Sequence, residues 1–191
     1  MIETFGQIEG ISKAIAAAIG AIMIIPQFKD FISSSIFGKI TWNQTLKVIK
    51  KIIKNMESDN YEPEIIICGG RGGSILGSLI SWNHTKNLIP IELVDFNYTK
   101  KDQKTNINIR NSINEEHIRN KKVLICVGVM QTGDTIDKLF EYIENLKPRE
   151  IKTACIFATQ DKPIRTVDYK GKHIKNKKKF AWHYQNLDIS K

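Results

Sequence analysis

The sequence is short of the residues that usually build disulfide frameworks and metal sites. Its 191 residues include three cysteines and four histidines, and none of them has the spacing of metal ligands. Cys68, Cys126 and Cys155 each lie within or at the end of an apolar run that suits a strand. We therefore expect the three cysteines to serve as small buried hydrophobic residues in a reducing compartment. We expect neither a disulfide nor a zinc site.

Acidic residues are scarce relative to basic ones. The chain has 20 Asp and Glu against 29 Lys and Arg, which gives a formal net charge of +9 at pH 7. Such an excess favours anionic partners, whether nucleotides, nucleic acid or an acidic lipid surface, and does not choose among them. With 41% hydrophobic and 26% charged residues, the composition is that of a globular protein with one domain of ordinary size plus an appendage.

The first part of the chain is unlike the rest. Between Glu9 and Lys29 the only charged residue is Lys13, and isoleucines recur there at helical spacing. We interpret residues 1–38 as a hydrophobic N-terminal helix and a linker, because acidic residues near the start disfavour a secretory signal peptide. Two roles stay open for the helix: burial in a homo-oligomer or against the domain, and insertion of residues 10–28 in a membrane. The lysine-rich remainder is expected in the cytoplasm, attached to the membrane in the second case.

Residues 39–191 are interpreted as one α/β domain. Thr41 and Gln44 have the spacing of a capping box at the start of a helix. Apolar strand-like segments then alternate with helical patterns, at residues 64–68, 88–96, 123–126 and 151–157. This alternation predicts a parallel twisted sheet flanked by helices, with ligands bound at the carboxyl ends of the strands.

The stretch from Val123 to Ile136 joins a buried strand, a glycine turn and a helix N-terminus. Backbone N–H groups at such a turn can approach an anion, and the helix dipole favours negative charge. The hydroxyls of Thr132 and Thr135 add donors. We interpret this turn as a phosphate cradle, with plain capping of the helix by Gly and Thr as the alternative.

A second glycine turn, Gly69-Gly70-Arg71-Gly72-Gly73, follows the strand at residues 64–68. It precedes a helix that we predict to start near Ser74. Glycines admit close backbone approach to a ligand, and Arg71 can form paired hydrogen bonds with phosphate oxygens. The turn therefore indicates a second anion site, with a flexible loop as the alternative.

Both turns resemble the phosphoribosyl pyrophosphate (PRPP) motifs of type I phosphoribosyltransferases. The strand that leads into Thr132-Gly133-x-Thr135 is similar to the signature of that family, and the Arg-Gly-Gly turn is similar to its pyrophosphate loop. The resemblance implies that the 5′-phosphate is held by Gln131, Thr132, Gly133, Asp134 and Thr135. It also implies that the pyrophosphate is held by Gly70, Arg71 and Gly72, and that Mg²⁺ enters with this substrate.

The C-terminal part is similar to phosphoribosyltransferases of the xanthine-guanine, or 6-oxopurine, type. The matching elements are Ile40-Thr41-Trp42, Asp161-Lys162-Pro163, Val167-Asp168-Tyr169 and Phe180-Ala181-Trp182. The resemblance implies a C-terminal hood over a purine, in which Lys162 donates to the exocyclic oxygen and Phe180 stacks on the base. An ordinary surface lysine is the alternative for Lys162.

The chain departs from the family at its acidic pair. The two positions hold Val127 and Gly128, and Gln131 stands where a further acidic residue is usual. In the family the paired carboxylates bind the ribose hydroxyls and stabilise the positive charge that develops on the sugar. We therefore assign no catalytic residue and expect binding of PRPP or a nucleoside 5′-phosphate, with purine phosphoribosyl transfer as ancestral chemistry. The alternative is a non-catalytic effector or sensor, as in a prokaryotic defence system, that binds nucleotide or nucleic acid and uses its N-terminal helix to assemble or enter a membrane.

Two polar stretches complete the chain. Residues 98–120 lack a sustained apolar period, and we expect them to form a mobile lid over the site or a disordered loop. The segment from Lys170 to Lys179 contains six lysines. A solvated basic segment is the commonest explanation of such a run, and nucleic-acid binding comes next.

Overall fold

The computed structural model describes residues 38–83, 88–101, 104–159, 166–174 and 179–183. The predicted N-terminal helix, with its proposed membrane segment, and Lys162 lie outside these residues. Contacts divide the chain into two compact units, Thr45–Lys177 and a smaller unit made of residues up to 44 and from 178 onward. The predicted boundary after residue 38 stays a prediction. No helix among the described residues is long and apolar enough to cross a membrane.

Strands and helices alternate along most of the chain. In order they are β1 (Lys39–Ile40), α1 (Trp42–Ser58), β2 (Ile65–Gly69), α2 (Gly70–Asn83), β3 (Ile91–Val94), β4 (Phe96–Lys101), β5 (Lys104–Ile109), α3 (Glu115–Ile118), β6 (Lys122–Met130), α4 (Asp134–Glu144), β7 (Glu150–Ala158), β8 (Tyr169–His173) and β9 (Lys179–Phe180). A short 3₁₀ helix, Ala181–His183, follows β9.

The larger unit is built on a five-stranded sheet in the order β3-β2-β6-β7-β8. All neighbouring strands in this sheet run parallel. The central strand β6 is buried from Val123 to Gly128, which agrees with its unbroken apolar sequence. Parallel strands of this kind require crossover connections, and α2 and α4 lie in two of them.

Helices cover both faces of the sheet. A Cβ atom at Gly77 of α2 would lie 2.3 Å from Cys68 Sγ and 2.9 Å from Ile66 Cγ2, so α2 approaches that face closely. Successive strand residues point to opposite faces, and Ile67 shares a buried cluster with Leu139 of α4 on the other side. The parallel α/β sheet flanked by helices that the sequence predicts is therefore confirmed.

The three cysteines lie on the inner strands and are fully buried. Burial disfavours the thiolate, and it raises the pKa of the Cys68 thiol to about 12 and that of Cys155 to about 11. The pKa of Cys126 is raised well above its ordinary value for the same reason. These thiols therefore stay protonated and serve as small apolar residues between strand and helix.

The smaller unit contains a short parallel pair, in which Ile40 of β1 lies opposite Phe180 of β9. The predicted capping box is present at the start of α1. The Thr41 N–H donates to Gln44 Oε1 at 3.2 Å, and the Gln44 N–H donates to Thr41 Oγ1 at 3.3 Å. Each residue thus satisfies a backbone donor of the other.

The stretch after β3 differs from the prediction of a long loop. Strands β4 and β5 form an antiparallel hairpin with Phe96 opposite Ile109, and α3 follows. Phe96 is buried, and Ile107 and Ile109 pack against the same core cluster. The loop prediction was wrong because two isoleucines that alternate with one asparagine make too short a pattern to stand out among polar neighbours. The role of this segment as a lid stays a prediction.

The carboxylate of Asp168, the residue just before β8, forms hydrogen bonds with β7. Asp168 Oδ2 accepts hydrogen bonds from the Thr153 N–H at 2.8 Å and from the Thr153 hydroxyl at 2.7 Å. Thr153 is 2% exposed, so no water can replace this acceptor easily. Strand β8, which begins at the next residue, includes the first lysines of the lysine-rich segment.

We predict that Asp168→Ala lowers the free energy of unfolding by about 1–3 kcal/mol, because it leaves the buried donors of Thr153 without an acceptor. Urea denaturation measures the loss. As a control, Glu141→Ala removes only an exposed ion pair with Lys138, and we expect a change below about 0.5 kcal/mol. Equal losses in the two variants would contradict this role of Asp168.

Candidate functional site

The two glycine turns of the sequence lie at the carboxyl ends of neighbouring strands. Strands β2 and β6 pair in parallel, with Gly69 opposite Val127. Strand β2 ends there, whereas β6 continues to Met130. The turn after β2 therefore lies beside the last residues of β6, and the turn after β6 projects beyond it.

The turn from Gln131 to Thr135 borders a cavity of about 390 Å³. All five residues assigned to the 5′-phosphate line it, together with apolar residues of β5, β6 and α4: Ile107, Val127, Val129, Met130 and Ile136. Ile107 is a lining residue that the sequence interpretation missed, because it lies in the hairpin that was expected to be a loop. Its alternation with Ile109 is the signal that could have found it.

The start of α4 leaves backbone donors available to a ligand. Gly133 is the N-cap residue with a φ of 104°, a left-handed conformation that suits glycine, and it provides no side-chain cap. The Asp134 N–H makes only a long contact of 3.4 Å with Thr132 Oγ1. Since the first N–H groups of a helix have no partner within it, this end of α4 can hold an anion.

The turn after β2 is not a flexible loop, which was the alternative that the sequence left open. Helix α2 begins at Gly70, which has a φ of 62°, and so Arg71 and Gly72 belong to its first turn. The predicted start near Ser74 is wrong: the Ser74 hydroxyl donates to the Gly70 carbonyl at 3.0 Å inside the helix. Glycine content suggested a loop, but these glycines instead allow the helix to approach the sheet.

The three residues assigned to pyrophosphate lie in the first turn of α2, where Gly72 contacts Gly128 of β6, and outside the cavity lining. Arg71 is exposed, and within the described part of the chain its guanidinium forms no ion pair or hydrogen bond. Its guanidinium is therefore available to an anion. The lining of the cavity includes neither Arg71 nor its two glycine neighbours.

Neither position of the missing acidic pair presents a carboxylate, and position 128 has no room for a side chain. Val127 is 4% exposed and belongs to the apolar cluster around α4. At Gly128 a Cβ atom would lie 2.5 Å from Gly72 Cα and 2.9 Å from the Gly72 carbonyl carbon. Backbone of α2 thus occupies the space in which a side chain at position 128 would begin.

Other carboxylates near the end of the sheet are engaged elsewhere. Glu92 lies 2.9 Å from His117 Nδ1, and Asp95 pairs with Arg110 at 3.3 Å. Neither lines the cavity, where Asp134 is the carboxylate among the lining residues. The described residues contain no cluster of three or more His, Cys, Asp or Glu able to hold a metal ion.

No observation links the residues assigned to base binding, Lys162 and Phe180, with this cavity. Lys162 lies outside the described residues. Phe180 belongs to the smaller unit, where it is buried and stacks on Trp182 with 4.9 Å between ring centroids. Base binding by these residues stays a prediction.

Comparisons with known proteins point to one family. The model of the phosphoribosyl transferase domain matches residues 41–188. A purine phosphoribosyltransferase from Pyrococcus horikoshii is 26% identical with a TM-score of 0.63, and the match covers 75% of this chain and 91% of that one. No curated protein sequence matches the chain.

Two further solved structures are similar in fold. The xanthine-guanine-hypoxanthine phosphoribosyltransferase of Helicobacter pylori has a TM-score of 0.66 at 17% identity, over 76% of this chain and 93% of that one. A hypothetical protein from Neisseria gonorrhoeae with bound ppGpp has a TM-score of 0.63 at 17% identity, over 80% and 92%. At this identity the likeness concerns the fold alone.

We predict that Gly128→Ala lowers the free energy of unfolding by about 1–3 kcal/mol, because the added methyl group overlaps the backbone of Gly72. Thermal and urea unfolding measure the change. Ser78→Ala, an exposed substitution on the same helix α2, is the control and is expected to stay within about 0.5 kcal/mol of the parent. A Gly128→Ala variant as stable as the parent would contradict the tight contact.

Proposed function

The chain belongs to the phosphoribosyl transferase domain family, and we propose that it binds PRPP or a nucleoside 5′-phosphate at the turn from Gln131 to Thr135. Purine phosphoribosyl transfer is then the ancestral chemistry, and it is weak or lost in this chain. The observation that carries the proposal is the cavity whose lining contains the whole turn at the start of α4.

The turn offers a phosphate three kinds of donor. The first N–H groups of α4 point out of the helix, the helix dipole adds partial positive charge, and the hydroxyls of Thr132 and Thr135 border the same cavity. Arg71, exposed in the first turn of the neighbouring helix α2, can bind a second phosphate group of a diphosphate ligand. These donors act on the charge of the ligand and require no carboxylate.

Transfer requires more than binding. As pyrophosphate leaves the ribosyl carbon, positive charge grows on the sugar, and fixed negative charge nearby stabilises it in the transition state. Val127 and Gly128 supply no such charge, and Glu92 and Asp95 are paired with His117 and Arg110. Loss of one preorganised group commonly lowers a rate by about 100-fold or more, so two missing groups predict very slow transfer.

A non-catalytic effector or sensor is the second candidate. It is favoured by the contact of Gly72 with Gly128, which fills the acidic position with backbone instead of leaving it open. Such a protein would bind nucleotide at the same turn, use its lysine-rich segment for nucleic acid, and assemble as a homo-oligomer or attach to a membrane through residues 10–28. Loss of nucleic-acid binding at raised salt would be expected if that partner is held by the lysines.

Titration calorimetry with PRPP, purine nucleoside 5′-monophosphates and ppGpp tests the shared premise. We predict that Thr132→Val and Thr135→Val each weaken binding about tenfold or more, because a hydrogen bond to a charged group contributes about 1.5–3 kcal/mol. Thr166→Val, an exposed threonine outside the cavity lining, is the matched control. Unchanged affinity in the double variant Thr132→Val/Thr135→Val would contradict the assigned phosphate site.

A transfer assay separates the two candidates. The protein is incubated with PRPP, Mg²⁺ and each purine in turn, and released pyrophosphate is measured. We expect turnover at least about 100-fold slower than a typical enzymatic rate of about 10 per second. Prompt pyrophosphate release with any purine would establish the transferase and refute the loss of catalysis.

A further inference from the structure

One edge of the five-stranded sheet carries a group of exposed apolar side chains. Trp82, near the end of α2, is 77% exposed, and Leu88, which precedes β3, is 70% exposed. Within β3, Ile91 is 39% and Leu93 is 52% exposed. Monomeric proteins leave single apolar residues exposed, but a contiguous group of large ones usually marks an interaction site.

Trp82 and Leu88 are brought together at the end of α2. The Ser81 hydroxyl donates to the Ile89 carbonyl at 2.7 Å, and both of these residues are buried. Trp82 and Leu88 are their exposed neighbours in the chain. The hydrogen bond therefore places the exposed indole beside the segment that enters β3.

Ile91 and Leu93 extend the same surface along β3. Val94 belongs to the apolar cluster around α4. Because side chains alternate along a strand, Ile91 and Leu93 point to the opposite face, on which α2 lies. Helix α2 packs over Cys68 and Cys126 of the inner strands β2 and β6, so it leaves this face of the edge strand exposed. We define the edge patch as these four exposed residues: Trp82, Leu88, Ile91 and Leu93.

The edge patch is uncharged in a basic protein. Residues 72–83 and 88–94, which contain it, include one charged residue, Glu92. Glu92 points to the other face of β3 and lies 2.9 Å from His117 Nδ1. The chain as a whole has a net charge of +9. Nucleic acid or an acidic lipid surface would require lysine or arginine on the patch, and the patch has neither.

A second copy of the chain fits these properties. The centre of a protein interface is depleted in charged residues and enriched in tryptophan. A two-fold dimer brings the same patch of both copies together, so an uncharged patch meets an uncharged patch. Contact through this surface also keeps the lysines and arginines of two strongly basic copies away from each other.

The backbone of β3 is open on its outer side. In the parallel pairing with β2, the Pro90 carbonyl accepts from the Ile66 N–H at 2.9 Å. Ile91 and Leu93 therefore direct their backbone groups away from β2. Asn111 closes one end of this outer side, because its Nδ2 donates to the Leu93 carbonyl at 2.7 Å. As far as the structure describes the chain, Ile91 is thus the residue of β3 whose outward N–H and carbonyl are both open to a partner strand.

We propose that the edge patch is the interface of a homodimer in which the β3 strands of two copies pair antiparallel about a two-fold axis at Ile91. An axis perpendicular to the sheet makes the paired strands antiparallel and keeps the α2 faces of both copies on one side. Ile91 then lies opposite its own copy, and the edge patches of both copies pack together on that side. The two sheets become one continuous sheet. This inference goes beyond the proposed function and does not depend on it, because it makes no use of the phosphate turn.

Sedimentation equilibrium of the full chain tests the dimer. We expect a dissociation constant of about 10 μM or tighter, the range of standard protein interfaces. Trp82→Lys and Ile91→Lys each place a charge that meets its own copy across the axis, and we expect each to raise the dissociation constant about 30-fold or more. Leu46→Lys is the matched control, since Leu46 of α1 is 38% exposed and lies outside the edge patch. This control is expected to stay within about threefold of the parent.

Cross-linking tests the position of the axis. Two directly opposite residues of a hydrogen-bonded antiparallel pair have Cα atoms about 5.5 Å apart, a separation that a disulfide can span. We therefore expect Ile91→Cys to form a covalent dimer on mild oxidation, whereas Leu46→Cys at the same concentration does not. The three native cysteines are buried and do not compete.

Several results would overturn the proposal. A parent chain that is monomeric at about 100 μM excludes the dimer, whether the patch is then covered by the chain's own N-terminal residues or by another partner. A dimer that Leu46→Lys weakens as much as Trp82→Lys does not use this surface. A dimer that gives no cross-link at position 91 does not pair there. Circular dichroism checks that each variant folds, and if Ile91→Lys does not, Trp82→Lys and the cross-link decide the matter.

Discussion

The parallel pairing of β2 with β6 is the constraint on which the site depends. Because Gly69 lies opposite Val127, the glycine turns that follow the two strands meet at one edge of the sheet. Two helix starts, those of α2 and α4, are thereby directed to the same region, and each brings the positive end of a helix dipole. A sheet with another strand order would separate these anion-binding features, whatever the local sequence of each turn.

The two helix starts play different roles. The start of α4 projects beyond β6 and borders the cavity with all the residues of its turn. The start of α2 packs on β6. Its glycines contact the strand, and the Arg71 side chain is exposed. This asymmetry favours a ligand with one deeply held phosphate and a second, more exposed anionic group. Under the proposed function, binding would rely on N–H donors, whereas transfer would call for the carboxylates that Val127 and Gly128 replace.

Much of the fold could be predicted from local patterns. The capping box of Thr41 and Gln44 lies at the first turn of one helix, and the strand that contains Val123 is an unbroken apolar run. Both patterns can therefore be recognised in the sequence. The hairpin of β4 and β5 was missed, because its stability comes from pairing and from few alternating apolar residues. The five residues from Gln131 to Thr135 are contiguous in the sequence and border one cavity, and their role in holding a phosphate stays a prediction. Ile107 borders the same cavity from β5, and its alternation with Ile109 is a weak local sign of the strand that carries it.

The contact between Gly72 and Gly128 makes a side chain at position 128 difficult to introduce. In the sequence, Gly128 stands where the family has an acidic residue. In the structure, Gly128 lies against the backbone of Gly72, and a side chain at position 128 would break this contact. A change from glycine to aspartate at that position would first cost packing at the start of α2 before any carboxylate could assist a reaction. A carboxylate at position 128 would thus require coordinated changes on β6 and on the first turn of α2, so the effect of a substitution on the strand depends on the neighbouring helix.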